Sequence, residues 1–209
     1  VIKKPGLRVQ QREATRTSIL DAALVEFSEH GFDGTSTRDI AARAGVHHAL
    51  IKYHFETKEL LWQAAVNFLF ERQRVELTVS DLDVRTQHDR RAFAREVIRR
   101  IVLYSARYPE HARLMVQESC RDTERLHWAA DQHIARMSRA AGQFITAMQR
   151  EGVFPPGAVV PMVYMLVGAA QLLHALAPEV RRIWAVDPAD PAVVEQHAEA
   201  MAALFVRGR

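Results

Sequence analysis

Residues 35–61, TSTRDIAARAGVHHALIKYHFETKELL, decide the fold. They read as two short helices joined by a tight turn, with a third helix starting directly behind. Ser36 stands where a helix needs an N-cap, and Asp39 three places on can reach back to complete a capping box. Ile40, Ala41 and Ala44 give this first helix an apolar face. Gly45 supplies the backbone freedom for a sharp turn, and Val46 plugs it. In HHALIKYHF, Leu50 or Ile51 can point inward together with Phe55, leaving His47, His48, Lys52, Tyr53 and His54 outside. Ile40, Val46 and Phe55 are expected in the core, and Thr57 caps the next helix. This is the sequence form of a helix-turn-helix, the unit that lays its second helix in the DNA major groove.

Outward from this stretch, helical spacing dominates and no strand pattern survives. A helix over 11–30 places Ile19, Leu20, Ala23, Leu24 and Phe27 on one face, and His30-Gly31 ends it. Another over 58–78 turns Leu61, Ala64, Ala65, Phe68 and Leu69 inward. The segment LTVSDLDVRTQHD breaks the pattern. Phe93, Val97, Ile101 and Tyr104 share a face of a helix over 89–107, and Pro109 suits the first turn of a short helix reaching Cys120. A long helix over 123–151 carries a seam of Ala130, Ile134, Met137, Ala141, Phe144 and Met148. Gly152 and Pro155-Pro156 stop it. A helix over 158–176, a loop holding Pro178, Pro188 and Pro191, and a helix over 191–206 complete an all-α fold of about nine helices.

Nearly half of the 209 residues are apolar, ample for a core. One cysteine, Cys120, excludes an intrachain disulfide and a cysteine-rich zinc site, which fits a cytoplasmic protein without a secretory signal. Net charge is only +3, but its placement is uneven: Lys3, Lys4, Arg8, Arg12 and Arg16 face Glu13 alone. A basic arm ahead of a helix-turn-helix suits phosphate or minor-groove contact, although a frayed terminus would look the same. Residues 158–177 carry no formal charge and are long enough to span a bilayer. Pro161, Gln171 and His174 interrupt them, however, and a helix apolar all round is also what a buried bundle or subunit interface requires. Burial is expected, and no membrane partner.

The first third of the chain resembles the TetR family of bacterial transcriptional regulators. The resemblance is carried by ALVEFSEHGFDGTSTRDIAARAGV and KYHFETKELL. Within them stand the Gly31-Phe32 pair, Thr35-Ser36 before a helix, Ile40-Ala41, the Ala44-Gly45-Val46 turn, and Tyr53-His54-Phe55 before Thr57-Lys58-Glu59. The remainder is similar in architecture only. The resemblance implies an all-helical homodimer, with residues 1–56 as basic arm and DNA-binding domain and 57–209 as ligand-binding and dimerisation domain. Thr35, Ser36, Thr37 and Arg38 would meet phosphate or a base edge. His47, His48, Ala49, Leu50, Lys52, Tyr53 and His54 would lie on or near the reading helix, and Lys58 would grip phosphate. His48 is the candidate donor to a base. Many members carry a small or hydroxyl residue where His47 stands, Gly-Thr where Ala49-Leu50 stands, and an aromatic at Lys52. The family's base contacts therefore do not transfer to this chain.

Trp128, His133, Met137, Phe144, Met165, Gln171 and His174 are large or polar groups on apolar helices and could line a ligand cavity. Each alone reads equally as a packing residue. Val163, Leu166, Val167, Ala170, Leu173 and Leu176 with Val194, His197, Met201, Leu204 and Phe205 are expected at the dimer interface, and could equally be intrachain core. Neither a metal nor a cofactor is expected. Adjacent His47 and His48 would point about 100° apart on a helix, and Glu118, Cys120, His111 and His127 lack an ordered ligand pattern. The functional expectation is a repressor released from an inverted-repeat DNA operator by a small-molecule effector, with reading helices about 34 Å apart. The rivals are a ligand-independent architectural DNA binder and an enzyme using His133, His174 and Glu118. The enzyme reading lacks a nucleophile–base constellation or phosphate loop.

Overall fold

The computed structural model describes residues 6–77 and 89–208. Lys3, Lys4 and all of LTVSDLDVRTQHD except its ends, Leu77 and Asp89, lie outside the described residues. Every regular element among those described is helical. The chain divides into two compact units, Val1–Arg72 with Arg113–Arg121, and Gln73–Ala112 with Asp122–Arg209.

In the first unit, α1 (Leu7–Gly34) starts earlier than the spacing predicts, so Arg8, Arg12 and Arg16 stand on a helix rather than a loose arm. Ile19, Leu20, Ala23, Leu24 and Phe27 are buried along it. The helix breaks at Gly31, whose φ of 71° and ψ of 174° are open essentially to glycine alone. Helix α2 (Thr37–Arg43) is capped by Ser36, whose Oγ accepts from Asp39 N–H at 3.2 Å. The Asp39 carboxylate accepts from the Ser36 hydroxyl in return. Ile40 and Ala41 are buried, while Ala44 and Val46 are only half-buried. Val46 therefore leaves the expected core. At the turn, Gly45 takes φ +66°, with Gly45 N–H bonded to Ala42 O (3.1 Å) and Val46 N–H to Ala41 O (3.0 Å). This 6→1 and 5→2 pair is the Schellman exit, which requires the left-handed residue that glycine supplies.

Helix α3 (Ala49–Phe55) buries Ile51 and Phe55 and leaves Leu50 37 % exposed, which settles the choice left open between Leu50 and Ile51. Thr57 Oγ1 accepts from Leu60 N–H at 3.1 Å and so caps α4 (Lys58–Glu76). In α4, Leu61, Trp62, Ala65, Val66 and Leu69 are fully buried. Ala64 and Phe68 are half-buried.

In the second unit, which takes the end of α4 from Gln73 onward, Asp89 accepts from Arg91 and Ala92 N–H as the cap of α5 (Arg90–Arg107). Its most buried face is Ala94, Ile98 and Val102, one position round from the expected stripe, with Phe93 and Ile101 packed alongside. Helices on more than one side of α5 use both faces. Helix α6 (Pro109–Ser119) follows, and from Arg113 onward it belongs to the first unit. The run expected as one uniform helix is α7 (Glu124–Ala129), a π turn (Ala130–Ile134) and α8 (Ala135–Arg150). The extra residue of a π turn rotates the helix face, so the seam does not carry through: Ala130 and Ile134 are half-buried, whereas Ile145 and Met148 are core. Gly152 repeats the left-handed exit at φ +68°, delivering Val153 and Phe154 to the core.

Helix α9 (Val159–Ala175) and α10 (Ala177–Trp184) meet at a 67° bend, and α11 (Pro191–Phe205) closes the chain against α5 and α9. Pro178 lies in the first turn of α10 instead of a loop, where its missing N–H costs nothing. Among the described residues no single helix is long and apolar enough to cross a membrane.

Candidate functional site

The first unit presents an open cleft of about 450 Å³ lined by Thr35, Ser36, Thr37, His48, Ile51, Lys52, Glu56, Thr57 and Lys58. Its walls are the start of α2, one side of α3 and the start of α4. Thr37 Oγ1 lies 2.9 Å from His48 Nε2, tying the first residue of α2 to the approach of α3. Lys58 Nζ sits 4.4 Å from the centroid of the Phe32 ring, a cation–π contact that holds the ammonium beside the cleft. Arg38 and Lys52 are exposed. Ammonium and hydroxyl donors around an open cleft suit phosphate oxygens.

Thr35 departs from its expected role. It is 3 % exposed, and its hydroxyl points at the carbonyls of Gly31 (2.7 Å) and Glu26 (3.1 Å). The side chain secures the end of α1 and offers no donor outward. Arg43 is likewise occupied, pairing with the nearly buried carboxylate of Glu26 (2.6 Å) and with Glu29 (2.8 Å).

The outer side of α3 carries Tyr53, 65 % exposed, with the Arg12 guanidinium 5.7 Å from its ring centroid and Arg16 5.4 Å from that of Phe55. His54 is half-buried beside them, edge-on to Tyr53. Burial, then Arg12 and Arg16, push its pKa below the ordinary imidazole value, which favours the neutral ring. Arg12 is a site residue that local spacing did not single out. The signal for it was the i, i+4 series Arg8, Arg12, Arg16, meaningful only once α1 is known to begin at Leu7. His47, Ala49 and Leu50 complete the exposed head of α3.

In the second unit, the seven candidate ligand residues have different surroundings. Trp128 and His133 meet edge-on at 5.7 Å across the π turn. Burial, then Arg136, push the pKa of His133 down. Met137 and Gln171 are half-buried. Phe144 packs edge-on against Phe93 and Phe154 beside the core. Met165 is 54 % exposed on α9. His174 is buried with both ring nitrogens engaged, to Pro188 O (3.0 Å) and to His197 Nδ1 (3.1 Å). Burial, then His197, pull its pKa to about 4, against the Pro188 carbonyl.

Among the expected interface residues, Leu166, Ala170, Val194 and Met201 are buried in the unit's own core. A side chain already shielded within one chain has no surface left for a partner, so these four are corrected to intrachain core. Val163, Val167, Leu173, His197 and Phe205 are half-buried, whereas Leu176 and Leu204 are exposed. Other exposed apolar groups on these helices include Val160, Tyr164, Leu172, Ile183 and Trp184, Tyr164 and Trp184 to more than 70 %. Among the described residues no three His, Cys, Asp or Glu side chains converge on a metal position. His111 instead meets the Tyr104 hydroxyl at 2.7 Å, His127 meets Asp122, and Cys120 is exposed.

The family described as bacterial regulatory proteins, tetR family, matches residues 19–65. The repressor NicS of Pseudomonas putida is 28 % identical over 171 residues, covering 80 % of this chain and 78 % of its own. The regulator RutR of Escherichia coli is 26 % identical over 208 residues, covering 99 % and 96 %. Among solved structures, a mutant of HlyIIR superposes with a TM-score of 0.69 at 20 % identity, over 94 % of this chain and all of that one. AibR in complex with isovaleryl coenzyme A and operator DNA superposes with a TM-score of 0.68 at 18 % identity, over 90 % and 96 %. The structural likenesses are likenesses of fold.

Proposed function

Because this chain is a DNA-binding transcriptional regulator of the TetR family, we propose that its α2–α4 cleft seats an operator phosphate while the exposed head of α3 enters the major groove. The observation that carries this reading is the convergence of Ser36, Thr37, Lys52 and Lys58 on one open cleft beside that head. Arg12, stacked over Tyr53, adds positive charge along the same helix. Residues 1–56 supply the reading module on this view, and 57–209 the sensing and dimerisation module.

The dimer forms through the exposed apolar surface of α9, α10 and α11, where Tyr164, Trp184 and Leu204 have no intrachain cover. Two copies then space their reading helices by about one turn of DNA on an inverted repeat. A small molecule binding near Trp128 and His133 releases the operator by favouring an arrangement in which that spacing is lost. The named repressor NicS and the AibR complex support a ligand-responsive repressor. Helix α4 passes from one unit into the other between Arg72 and Gln73, and is one of the covalent routes between sensor and reader.

Unbiased DNA selection with the full chain at moderate salt tests the proposal. A palindromic motif is expected, and Lys58→Ala should weaken binding to all sequences and reduce the salt slope by about 1. A folded dimer that binds all DNA alike, with steep salt dependence, would overturn sequence-specific regulation in favour of an architectural role.

A further inference from the structure

His47, Ala49 and Leu50 are exposed on the reading head yet take no part in the phosphate cleft. We infer that His47 reads a guanine edge in the operator, and that Leu50 meets a thymine methyl group beside it. This inference rests on the operator-binding reading and names what that operator contains.

One hydrogen bond holds the His47 ring. Ala49 N–H donates to His47 Nδ1 at 3.3 Å. Only an unprotonated ring nitrogen accepts, so the ring proton sits on Nε2, at the far side of the imidazole from the tethered nitrogen. The backbone bond thereby fixes both the tautomer and the direction of the ring. His47 offers the groove one held donor and no acceptor. Guanine is the base whose major-groove edge shows two neighbouring acceptors, N7 and O6, with no donor between them. Adenine places its N6 amine next to N7, where it opposes an incoming N–H.

His48, expected as the base donor, is placed differently. Its Nε2 faces Thr37 Oγ1 within the cleft, so it braces α2 against α3 on the phosphate side. Leu50 stands on the same turn as His47, its N–H bonded to the His47 carbonyl at 2.9 Å. Ile51 takes the inward place, leaving Leu50 outside. In the major groove the apolar feature for such a side chain is the thymine C5-methyl.

The test separates holding the turn from reading the base. In His47→Ser the hydroxyl can still accept from Ala49 N–H, but no donor reaches outward. In His47→Asn, Oδ1 accepts while the amide N–H₂ still points out. Motifs are selected with the wild-type chain, and binding is then measured on half-sites carrying 7-deazaguanine, adenine or deoxyuridine substitutions. The wild type should lose about tenfold on 7-deazaguanine or adenine at one position per half-site. His47→Ser should be indifferent to those changes, and His47→Asn should retain the loss. Deoxyuridine for thymine at the neighbouring position should weaken the wild type and leave Leu50→Ala unaffected. A wild type indifferent to every guanine replacement overturns the inference while leaving operator binding intact. So does a His47→Ser variant weakened equally on all sequences with a shallower salt slope, because that marks a phosphate contact. A wild type that selects no motif overturns the operator reading itself.

Discussion

Replacing Thr35 by valine removes one hydroxyl and keeps the side-chain shape, at a residue that is 3 % exposed. The hydroxyl proton is shared between the Gly31 carbonyl at 2.7 Å and the Glu26 carbonyl at 3.1 Å. Gly31 is where α1 breaks, and at φ 71°, ψ 174° its peptide group leaves the helical ladder. The variant loses a hydrogen bond worth about 1 kcal/mol, and depriving a buried carbonyl of its donor raises the cost to about 2 kcal/mol. For a chain of this size that lowers the thermal midpoint by roughly 4–8 °C. Where it remains folded, Thr35→Val should bind operator with wild-type affinity and salt dependence, because no outward donor has been removed. Thr37→Val should behave oppositely, melting close to wild type and binding more weakly, since its hydroxyl faces the cleft and His48. Circular-dichroism melts and fluorescence anisotropy across a salt series measure the two effects. A Thr35→Val protein that melts like wild type but binds weakly with a shallower salt slope would refute the reasoning.

Acid should destabilise the second unit through His174. Its folded pKa of about 4 lies below the 6.5 of a free imidazole, so the unfolded chain takes up the proton first. Its contribution is complete above pH 6.5 and falls away toward pH 4, by about 3 kcal/mol in all. Urea midpoints between pH 7 and 4.5 should show this slope, and His174→Asn should flatten it. Phe154→Ala should cost about 3–5 kcal/mol in the same assay, because Phe154 is 1 % exposed and meets the rings of Phe144 and Phe205 at 5.6 and 6.2 Å. A loss below about 1 kcal/mol would contradict that packing. If the proposed dimer forms through α9–α11, Leu204→Asp or Tyr164→Asp should leave a folded monomer in sedimentation experiments, since these side chains are 75 % and 73 % exposed. Leu166→Asp, at a buried position, should unfold the unit instead.

The helix-turn-helix was legible because its signals are local. A cap at Ser36, a left-handed exit at Gly45 and a cap at Thr57 each involve backbone groups within five residues, and all three stand in the structure as read. The C-terminal faces were harder. Helix α9 is apolar nearly all round, so periodicity could not choose between Leu166, which is buried, and Tyr164, which is exposed. The seam from Ala130 to Met148 assumed an unbroken helix, and the π turn at Ala130–Ile134 shifted its register. Helix α10 was hidden because Pro178 reads as a breaker unless it falls in a first turn.

The sequence by itself determined the all-helical class, the caps and turn of the reading module, and the residue types it can offer to DNA. Only the tertiary structure decided which of those residues are free to act. Thr35 is turned inward by the broken end of α1, Arg12 is brought over Tyr53, and a backbone N–H fixes the direction of His47. The physical reason is the range of the forces: caps and turns are bonds between near neighbours along the chain, whereas burial is settled between elements that sequence separation keeps far apart.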